Sequence, residues 1–312
     1  MQMLLGAVPV AGVRGLFGGG QTASANVNTI QYITIATTGN ATDFGDLSAD
    51  KATLAACSSD TRGLFGGGLI GGTYQNVIDY VTIATAGNST DFGDLTVSRS
   101  FVASCSSSTR GIFAGGFTTG NYYNNTIDYV TIASTGNATD FGDLLSELSE
   151  AAGCSSTTRG IIGGGWDIGY FRNNIEYITI ASTGNATDFG DLLNYNALSG
   201  SCSSNTRGLF LGGGEGSNSV NIIQYITIAS TGNATDFGDL TIPADALGKS
   251  HAGSACSSST RGVLGGGRDR NNLLMNVIQY VTIASTGNST DFGDLSEALC
   301  YISACSNGHG GL

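Results

Sequence analysis

Short apolar segments separated by polar turns run along the chain, and no segment of any length shows helical periodicity. In a representative unit, an apolar segment at 100–106 and a polar turn at 107–109 lead into a second apolar segment at 110–116. A third segment, 126–133, is rich in β-branched and aromatic residues, and a fourth, 141–145, follows a turn with glycine and asparagine. This pattern predicts four short β-strands per unit.

The unit occurs six times, and each copy carries the phrase T-x-G-N-[AS]-T-D-F-G-D-L. An arginine marks the start of the second predicted strand, and these arginines are separated by 48, 48, 49, 48 and 54 residues: Arg14, Arg62, Arg110, Arg159, Arg207 and Arg261. Repeats of this length are typical of solenoids and propellers. Four strands per copy and no helices predict an all-β, six-bladed β-propeller of four-stranded antiparallel blades. A linear β-solenoid, whose coils are usually shorter, is the alternative.

The two ends of the repeat array predict how the propeller closes. A candidate innermost strand precedes each arginine triplet from the second copy onward, and one more, at 298–305, has no triplet after it. We expect this last strand to join the first blade beside 14–20, because closure removes two exposed sheet edges. The prediction is a single propeller domain over 13–312, preceded by a tail segment at 1–12.

The antiparallel order of the strands divides the connections between two faces. The turns after the first and third strands share one face and keep nearly the same sequences, S-S-x-T-R-G and T-G-N-[AS]-T-D, so we name it the constant face. The other two connections differ between copies and lie on the opposite, variable face. Because loops on a rigid scaffold commonly carry binding residues, we expect binding on the variable face.

Charge and composition exclude several function classes. The chain has 24 acidic and 12 basic residues and a net charge of −12, which argues against a nucleic-acid-binding surface. Hydrophobic residues make up 40% and charged residues 12%, as in a packed globular protein. No apolar run approaches the ~20 residues of a membrane helix, and the start lacks the basic segment of a signal peptide.

The repeated arginines and aspartates share the constant face, and we predict that they form structural ion pairs that hold its turns together. The residues assigned to these pairs are Arg62, Arg110, Arg159, Arg207, Arg261, Asp91, Asp140, Asp188, Asp236 and Asp291. The alternative is an anion or calcium site, although the spacing of the aspartates lacks the density of a calcium loop.

Cysteine and histidine provide little material for catalysis. Six cysteines recur at one position of the innermost strand, and we expect them to be free and buried because equivalent positions on neighbouring blades are too far apart for disulfides: Cys57, Cys105, Cys154, Cys202, Cys256 and Cys305. The chain has two histidines, His251 and His309. We therefore predict no enzymatic activity, no metal site and no cofactor.

The variable face carries the candidate binding residues. Aromatic and arginine side chains dominate the energetics of protein interfaces, and aromatic rings also stack on sugars. The candidates are Tyr74, Tyr122, Tyr123, Trp166, Tyr170, Phe171, Arg172, Arg268 and Arg270. The alternative is that these tyrosines only pack against their own blades.

The repeat resembles the kelch repeat, in which an apolar strand ends in a glycine doublet and two aromatic residues follow. In the third copy these positions are Phe113, Gly115–Gly116, Tyr129 and Phe141. Kelch repeats usually carry tryptophan where this chain has Phe141. The longer phrase Y-[IV]-T-I-A-[ST]-[TA]-G-N-[AS]-T-D-F-G-D-L is also similar to repeats in uncharacterised virion proteins of marine phages. These resemblances imply a propeller fold and a role in a virion.

The leading hypothesis is a non-enzymatic structural or binding propeller of a virion or appendage, of the tail or fibre type. Its variable face would recognise other virion proteins, or a protein or glycan on a host surface. We expect it in a virion or on an extracellular surface, with no nucleic-acid partner and no membrane insertion. The alternatives are a secreted or surface lectin-like propeller that binds carbohydrate and an intracellular kelch-like adaptor.

Overall fold

The computed structural model describes residues 12–120, 122–215, 218–241, 253–269 and 271–312. Every helix or strand element in these ranges is a β-strand. The same ranges accordingly contain no helix long and apolar enough to cross a membrane. The tail segment predicted at 1–12 lies outside the described residues except for Gly12.

The first fifteen strands are β1 (Arg14–Gly18), β2 (Thr29–Thr34), β3 (Thr42–Asp46), β4 (Ala55–Ser58), β5 (Arg62–Gly66), β6 (Leu69–Ile70), β7 (Thr73–Tyr74), β8 (Val77–Thr82), β9 (Thr90–Asp94), β10 (Ala103–Ser106), β11 (Arg110–Ala114), β12 (Phe117–Thr118), β13 (Tyr122–Tyr123), β14 (Thr126–Thr131) and β15 (Thr139–Asp143). The others are β16 (Ala152–Ser155), β17 (Arg159–Gly163), β18 (Trp166–Asp167), β19 (Tyr170–Phe171), β20 (Asn174–Thr179), β21 (Thr187–Asp191), β22 (Gly200–Ser203), β23 (Arg207–Leu211), β24 (Gly214–Glu215), β25 (Asn218–Ser219), β26 (Ile222–Thr227), β27 (Thr235–Asp239), β28 (Ser254–Ser257), β29 (Arg261–Gly265), β30 (Val277–Thr282), β31 (Thr290–Asp294) and β32 (Ser303–Ser306).

These strands form six four-stranded antiparallel sheets, the blades. Blade 2 has the order β4-β5-β8-β9 from the axis outward, and blades 3 to 6 repeat it as β10-β11-β14-β15, β16-β17-β20-β21, β22-β23-β26-β27 and β28-β29-β30-β31. Blade 1 has the order β32-β1-β2-β3, with Cys305 of the last strand opposite Leu16. The innermost strands contact one another in a closed circle. The predicted six-bladed propeller, closed by the last strand joining the first blade, is therefore confirmed.

Short hairpins on the variable face extend four of the blades beyond the predicted pattern. They are β6–β7, β12–β13, β18–β19 and β24–β25, and each connects the second strand of its blade to the third. Each hairpin strand has two residues. Alternation of apolar and polar residues cannot be recognised over so short a segment, so the sequence predicted only loops here.

The hydrophobic core lies between the blades. One cluster combines Leu64, Ile78 and Phe92 of blade 2 with Phe113 and Val130 of blade 3, and the other five clusters have the same arrangement. An isolated blade would expose both sides of its sheet to water. Burial of apolar area therefore requires neighbouring blades, as in other repeat architectures.

Each repeated cysteine packs against the next blade. A Cβ atom added to Gly111, which follows the arginine of blade 3, would lie 2.7 Å from the Sγ of Cys57 in blade 2. The same contact occurs at all six interfaces between blades. All the cysteines of the chain are free and buried, as predicted, and burial raises the pKa of the Cys105 thiol to about 12. The thiols are neutral packing groups that fit over the glycines.

Side-chain sizes match across the interfaces at a second position. At four interfaces, a glycine that ends a second strand lies beneath a phenylalanine of the next blade: Gly18–Phe65, Gly66–Phe113, Gly163–Phe210 and Gly265–Phe17. At the other two, both residues change together within one core cluster, giving Ala114 with Ile162 and Leu211 with Leu264. A larger residue on one blade is thus accompanied by loss of the aromatic ring on the next.

The repeated phrase T-G-N-[AS]-T-D-F-G-D-L links the outer edges of neighbouring blades. The turn that begins it in one blade donates hydrogen bonds to the outer strand of the preceding blade, for example Gly136 N–H to Phe92 O at 2.7 Å. Asn137 Oδ1 accepts a hydrogen bond from Asp94 N–H at 3.1 Å. Gly93 has φ 144° and lies so close to Gly136 that a Cβ would approach its carbonyl within 2.5 Å. These contacts partly cover the exposed edge of each outer strand.

Two buried ion pairs, which the sequence did not predict, lie near the variable face. Lys51 Nζ is 2.6 Å from Asp79 Oδ2, and Arg99 Nη2 is 2.7 Å from Asp128 Oδ2, with all four side chains buried. Arg99 also donates to the carbonyl oxygens of blade 3. At three equivalent positions the link residue is uncharged, and the residue corresponding to Asp79 accepts a backbone N–H instead: Asn196 with Gln224, Leu299 with Gln31, and Leu148 with Glu176.

The matched side-chain sizes can be tested with a double-mutant cycle at Gly66 and Phe113. We expect Gly66→Ala to lower the free energy of unfolding by about 1–3 kcal/mol, because its Cβ would lie 2.8 Å from the Phe113 ring. Adding Phe113→Ile should recover part of this loss, since the double variant reproduces the Ala114–Ile162 pair. Urea unfolding of the two single variants and the double variant measures the coupling. Strictly additive losses would contradict the matched packing.

The Arg99–Asp128 pair supplies a second stability test. Arg99→Leu leaves Asp128 buried without its counterion, and we expect a loss of about 3–5 kcal/mol. Adding Asp128→Gln should recover most of that loss, because the double variant copies the Leu299–Gln31 pair of blade 1. Thermal unfolding of the single and double variants is the measurement, with Leu299→Met as a conservative control. A double variant less stable than Arg99→Leu would refute this account.

Candidate binding face and central channel

The constant-face arginines bind aromatic rings and carbonyl oxygens, so the predicted ion pairs are wrong. The guanidinium of Arg110 lies 4.6 Å from the centre of the Tyr129 ring, and its Nη1 donates to Ile180 O of the next blade at 2.9 Å. Arg62, Arg159, Arg207 and Arg261 make the same two contacts. The assigned aspartates are exposed to solvent: Asp91, Asp140, Asp188, Asp236 and Asp291. Among the described residues, no ion pair joins these two sets.

The physical reason lies in how far the arginine side chain reaches. The arginine at the start of each second strand is opposite the end of the third strand, as Arg110 is opposite Thr131. From there its side chain extends over the adjacent tyrosine ring and toward the next blade. A guanidinium group that stacks on a ring and donates to carbonyl oxygens keeps most of its charge in contact with water. The aspartates, on the outer strand, keep their full hydration.

The variable face brings several of the predicted aromatic residues together. Tyr123 of the blade 3 hairpin contacts Trp166 of the blade 4 hairpin edge-on, with ring centres 6.3 Å apart. Trp166 stacks on Phe171, its partner in the same hairpin, at 5.6 Å and an interplanar angle of 10°. Tyr122 and Tyr170 lie at the outer ends of the two hairpins, and each is 69% exposed. The sequence assigned these residues to matching loops of neighbouring blades, and in the structure the rings of Tyr123, Trp166 and Phe171 are in contact.

The remaining predicted residues have different surroundings. Arg172 forms an ion pair with Asp167 of its own hairpin, through Nε at 2.7 Å. Arg268 lies 5.6 Å from the centre of the Tyr301 ring. Tyr74 is paired with Leu69 in the blade 2 hairpin. Arg270 lies outside the described residues.

Three aromatic residues that the sequence analysis missed extend the group to the propeller axis. Phe117 lies 4.6 Å from Tyr123 and 6.1 Å from Phe101, and Phe101 lies 5.6 Å from Tyr301, measured between ring centres. We name the connected series of rings the aromatic arc: Tyr301, Phe101, Phe117, Tyr123, Trp166 and Phe171. Phe101 and Tyr301 each precede a repeated cysteine by four residues. Variation at that one repeat position was the signal that could have identified them.

Apolar side chains exposed to solvent concentrate beside the aromatic arc. They lie on the hairpins of blades 3 and 4 and on the links that follow the outer strands of these blades. We name this group the apolar patch: Tyr122, Leu145, Ile168, Tyr170, Leu193 and Tyr195. Single exposed apolar residues are ordinary, whereas six of the eight large exposed apolar side chains among the described residues belong to these elements, and such a concentration is typical of an interaction surface.

A funnel open to solvent occupies the centre of the variable face. Among the described residues, five form its mouth, each preceding the innermost strand of a different blade: Thr53, Phe101, Glu150, Leu198 and Tyr301. All five have positive φ, between 53° and 60°, a conformation that side chains other than glycine rarely adopt. Strain of this kind persists only where surrounding structure imposes it, and it concentrates at functional sites.

Backbone hydrogen bonds between blades hold the mouth in this conformation. Phe101 N–H donates to Thr53 O at 2.8 Å, and Glu150 N–H donates to Phe101 O at 3.1 Å. Leu198 N–H donates in turn to Glu150 O at 3.0 Å, and Thr53 N–H donates to Tyr301 O at 3.0 Å. The mouth is therefore a preformed rim whose side chains are presented by a fixed backbone.

Glu150 is the only acidic residue among the described residues that line the funnel. Burial raises the pKa of its carboxyl group to about 7. The phenol of Tyr123 also has a raised pKa, through burial and then through the nearby charges of Glu150 and Asp167. The side chain of Glu150 has no hydrogen-bonded or ion-pair partner among the described residues.

A circle of serines surrounds the channel at the constant-face end. Each hydroxyl donates to the carbonyl oxygen of the serine in the preceding blade, at 2.5–2.8 Å: Ser58, Ser106, Ser155, Ser203, Ser257 and Ser306. Each serine N–H in turn donates to the hydroxyl of the following blade. Hydrogen bonds thus connect all six innermost strands.

The segment 307–312 caps this end of the channel. His309 Nε2 lies 3.1 Å from Ser58 O, and Gly311 N–H donates to His309 Nδ1 at 3.0 Å. The imidazole is therefore neutral, with its proton on Nε2, and burial lowers its pKa to about 4. Gly310 N–H donates to Ser203 O at 3.0 Å. A ligand would enter the channel from the variable face.

The sequence was also compared with protein-family models and with curated proteins, and neither comparison gave a match. The candidate site is therefore defined by its geometry: the funnel, the aromatic arc and the apolar patch, all on the variable face.

The corrected role of the constant-face arginines can be tested at Arg110 and Asp140. We expect Arg110→Met to lower the free energy of unfolding by about 1–3 kcal/mol, because it removes the tyrosine stacking and the hydrogen bond to Ile180 O. Asp140→Asn should change it by less than about 0.5 kcal/mol, since Asp140 is exposed. Urea unfolding at low and high salt measures both. Equal losses for the two variants would restore the ion-pair interpretation.

Proposed function

We propose that this protein is a non-enzymatic binding propeller that contacts its partner through the variable face. The observation that carries the proposal is the apolar patch lying beside the aromatic arc. Aromatic side chains are enriched among the residues that dominate binding energy, and here stacking and edge contacts hold them in place. Rigid side chains lose little conformational entropy when a partner binds.

Two further features support a binding role. The constant face uses its repeated residues for contacts between blades, which leaves the variable face as the part that differs from copy to copy. The net charge of −12 and the exposed aspartates of the outer strands favour solubility. A propeller with these properties can present one adhesive face without associating through its edges.

The partner that we propose is another virion or appendage protein, or a protein on a host surface. Support for this setting comes from the similarity of the repeated phrase to repeats of marine phage virion proteins. Immunogold labelling of particles from the source, together with mass spectrometry of purified particles, tests it. Absence of the protein from particles would overturn the virion setting and leave the binding face to be tested separately.

Carbohydrate binding is the second candidate function. The funnel wall combines the hydroxyl groups of Ser104, Ser201, Ser254 and Ser303 with the nearby rings of Phe101 and Tyr301, all lining one opening. Aromatic rings beside hydrogen-bonding groups suit the apolar faces and hydroxyls of sugars. A glycan array separates the two candidates, because binding to a defined glycan would favour the lectin and a blank array the protein partner.

The binding face can be tested with labelled protein on host cells or on particles that lack it. We expect the double variant Tyr122→Ser with Tyr170→Ser to bind at least ~10-fold more weakly, because two exposed aromatic anchors are lost. Asp140→Asn, on the constant face, is the matched control and should bind as the unaltered protein does. Circular dichroism confirms folding of each variant. Equal binding by the double variant and the control would show that the binding site is not on this face.

A further inference from the structure

We propose that the funnel binds an organic cation, specifically a quaternary or other alkylated ammonium group, which rests on Phe101 and Tyr301 and faces the Glu150 carboxylate. This inference rests on the proposed function, because it supplies a ligand class for the same variable face. It concerns the centre of that face, whereas the apolar patch lies toward its outer part. The two can therefore be tested with different variants.

The chemistry of the mouth suits an organic cation. Glu150 is the only carboxylate among the described lining residues, and the described lining includes no lysine or arginine. The other described mouth residues are Thr53, Leu198 and the two aromatic residues, so the acidic group lies among largely apolar and aromatic side chains. A carboxylate beside aromatic rings is complementary to an alkylammonium ion, whose charge is spread over apolar methyl groups.

Within the part of the chain that the structure describes, the Glu150 carboxylate lacks both a cation and a hydrogen-bond donor of its own. Asp79 and Asp128 are neutralised by a cation of the preceding link, Lys51 and Arg99, and the buried Glu176 carboxylate accepts a hydrogen bond from Leu145 N–H. Glu150 has no such partner among the described residues. A bound cation would offset the cost of placing this carboxylate away from water.

The two aromatic rings of the mouth are arranged at right angles. Phe101 meets Tyr301 at an interplanar angle of 89°. The guanidinium of Arg268 lies 5.6 Å from the centre of the Tyr301 ring, from outside the mouth residues. Two rings at right angles can both turn a face toward one small group in the corner between them, and the ring face is the part that attracts an ammonium ion.

The mouth is preorganised. Its described residues are held at positive φ by hydrogen bonds that run from blade to blade. The rim is therefore built before a ligand arrives, and little ordering is left to oppose binding. Because the segment 307–312 caps the far end of the channel, the site opens only to the variable face.

The pH dependence follows from the groups around Glu150. Its ionised form binds the cation, so affinity should increase as pH rises through about 7, where Glu150 loses its proton. Among the described residues, the other titratable groups that face this region are the phenols of Tyr123 and Tyr301, whose pKa values are raised, and the Asp167 carboxyl group. Arg268 and Cys300 lie beside Tyr301. The phenols and the thiol stay protonated below pH 8 because their pKa values are raised, so of these three groups and Glu150 only Glu150 loses its proton near neutrality.

The decisive experiment compares choline with its uncharged isostere, 3,3-dimethylbutan-1-ol, by calorimetry and by ligand-observed NMR on the full chain. We expect choline to bind at least ~10-fold more tightly than the isostere at about pH 8, and this preference to vanish at about pH 5.5. Phosphocholine is the third ligand to be tested. If it binds as tightly as choline, the natural ligand is a phosphocholine group on a surface. If it binds much more weakly, the natural ligand is a free ammonium compound. Equal affinity for choline and the isostere would overturn the proposal, as would no detectable choline binding at about 10 mM.

Three variants separate this site from a general loss of structure. Glu150→Gln should lower choline affinity by ~10-fold and leave the isostere unaffected, while Phe101→Leu should weaken choline more than the isostere. Leu198→Ala is the matched control, since it should weaken both ligands equally. Choline binding that survives Glu150→Gln unchanged would refute the assignment. The double variant Tyr122→Ser with Tyr170→Ser should leave choline binding unchanged. The experiments can therefore contradict the protein-binding role of the apolar patch and the cation-binding role of the funnel independently.

Discussion

Close approach between neighbouring blades is the constraint on which the rest of this structure depends. The Sγ atom of each repeated cysteine occupies the space that a Cβ would need on the glycine after the next arginine. Only glycine permits this contact, and only a small apolar group fits over it. The hydrophobic clusters, the serine circle and the arginine contacts all join one blade to the next. The repeated residues therefore specify interfaces rather than blades, and a single copy contains only half of each contact.

Much of the fold could be predicted from the sequence because its signals are short-range and occur six times. The strands, the division into two faces and the closure through 303–306 all follow from alternation, from turn residues and from counting copies. The two-residue hairpin strands could not be predicted, since periodicity has no meaning over that length. The buried pairs Lys51–Asp79 and Arg99–Asp128 could not either, because each joins a variable link to a strand of the next blade.

The candidate site was predicted in part, for a physical reason. Tyr123, Trp166 and Phe171 stood out as aromatic residues in variable loops, and they do meet. Phe101 and Tyr301 did not stand out, because they lie just before an innermost strand, where the sequence resembles the strand itself. The arginines were assigned to aspartates on the grounds of charge alone. In the structure Arg110 finds an aromatic ring and a carbonyl oxygen nearer than any carboxylate.

The serine circle has a consequence for the number of blades. Every hydroxyl donates in the same rotational sense, so the six hydrogen bonds form one head-to-tail loop with no beginning. Each bond joins two neighbouring innermost strands at 2.5–2.8 Å, and a change in the number of blades would alter the angle between those strands. Gene duplication readily adds or deletes a repeat of about 48 residues. At the axis, such a change would disturb the hydrogen bonds of the serine circle. The serine circle therefore favours an array of six copies.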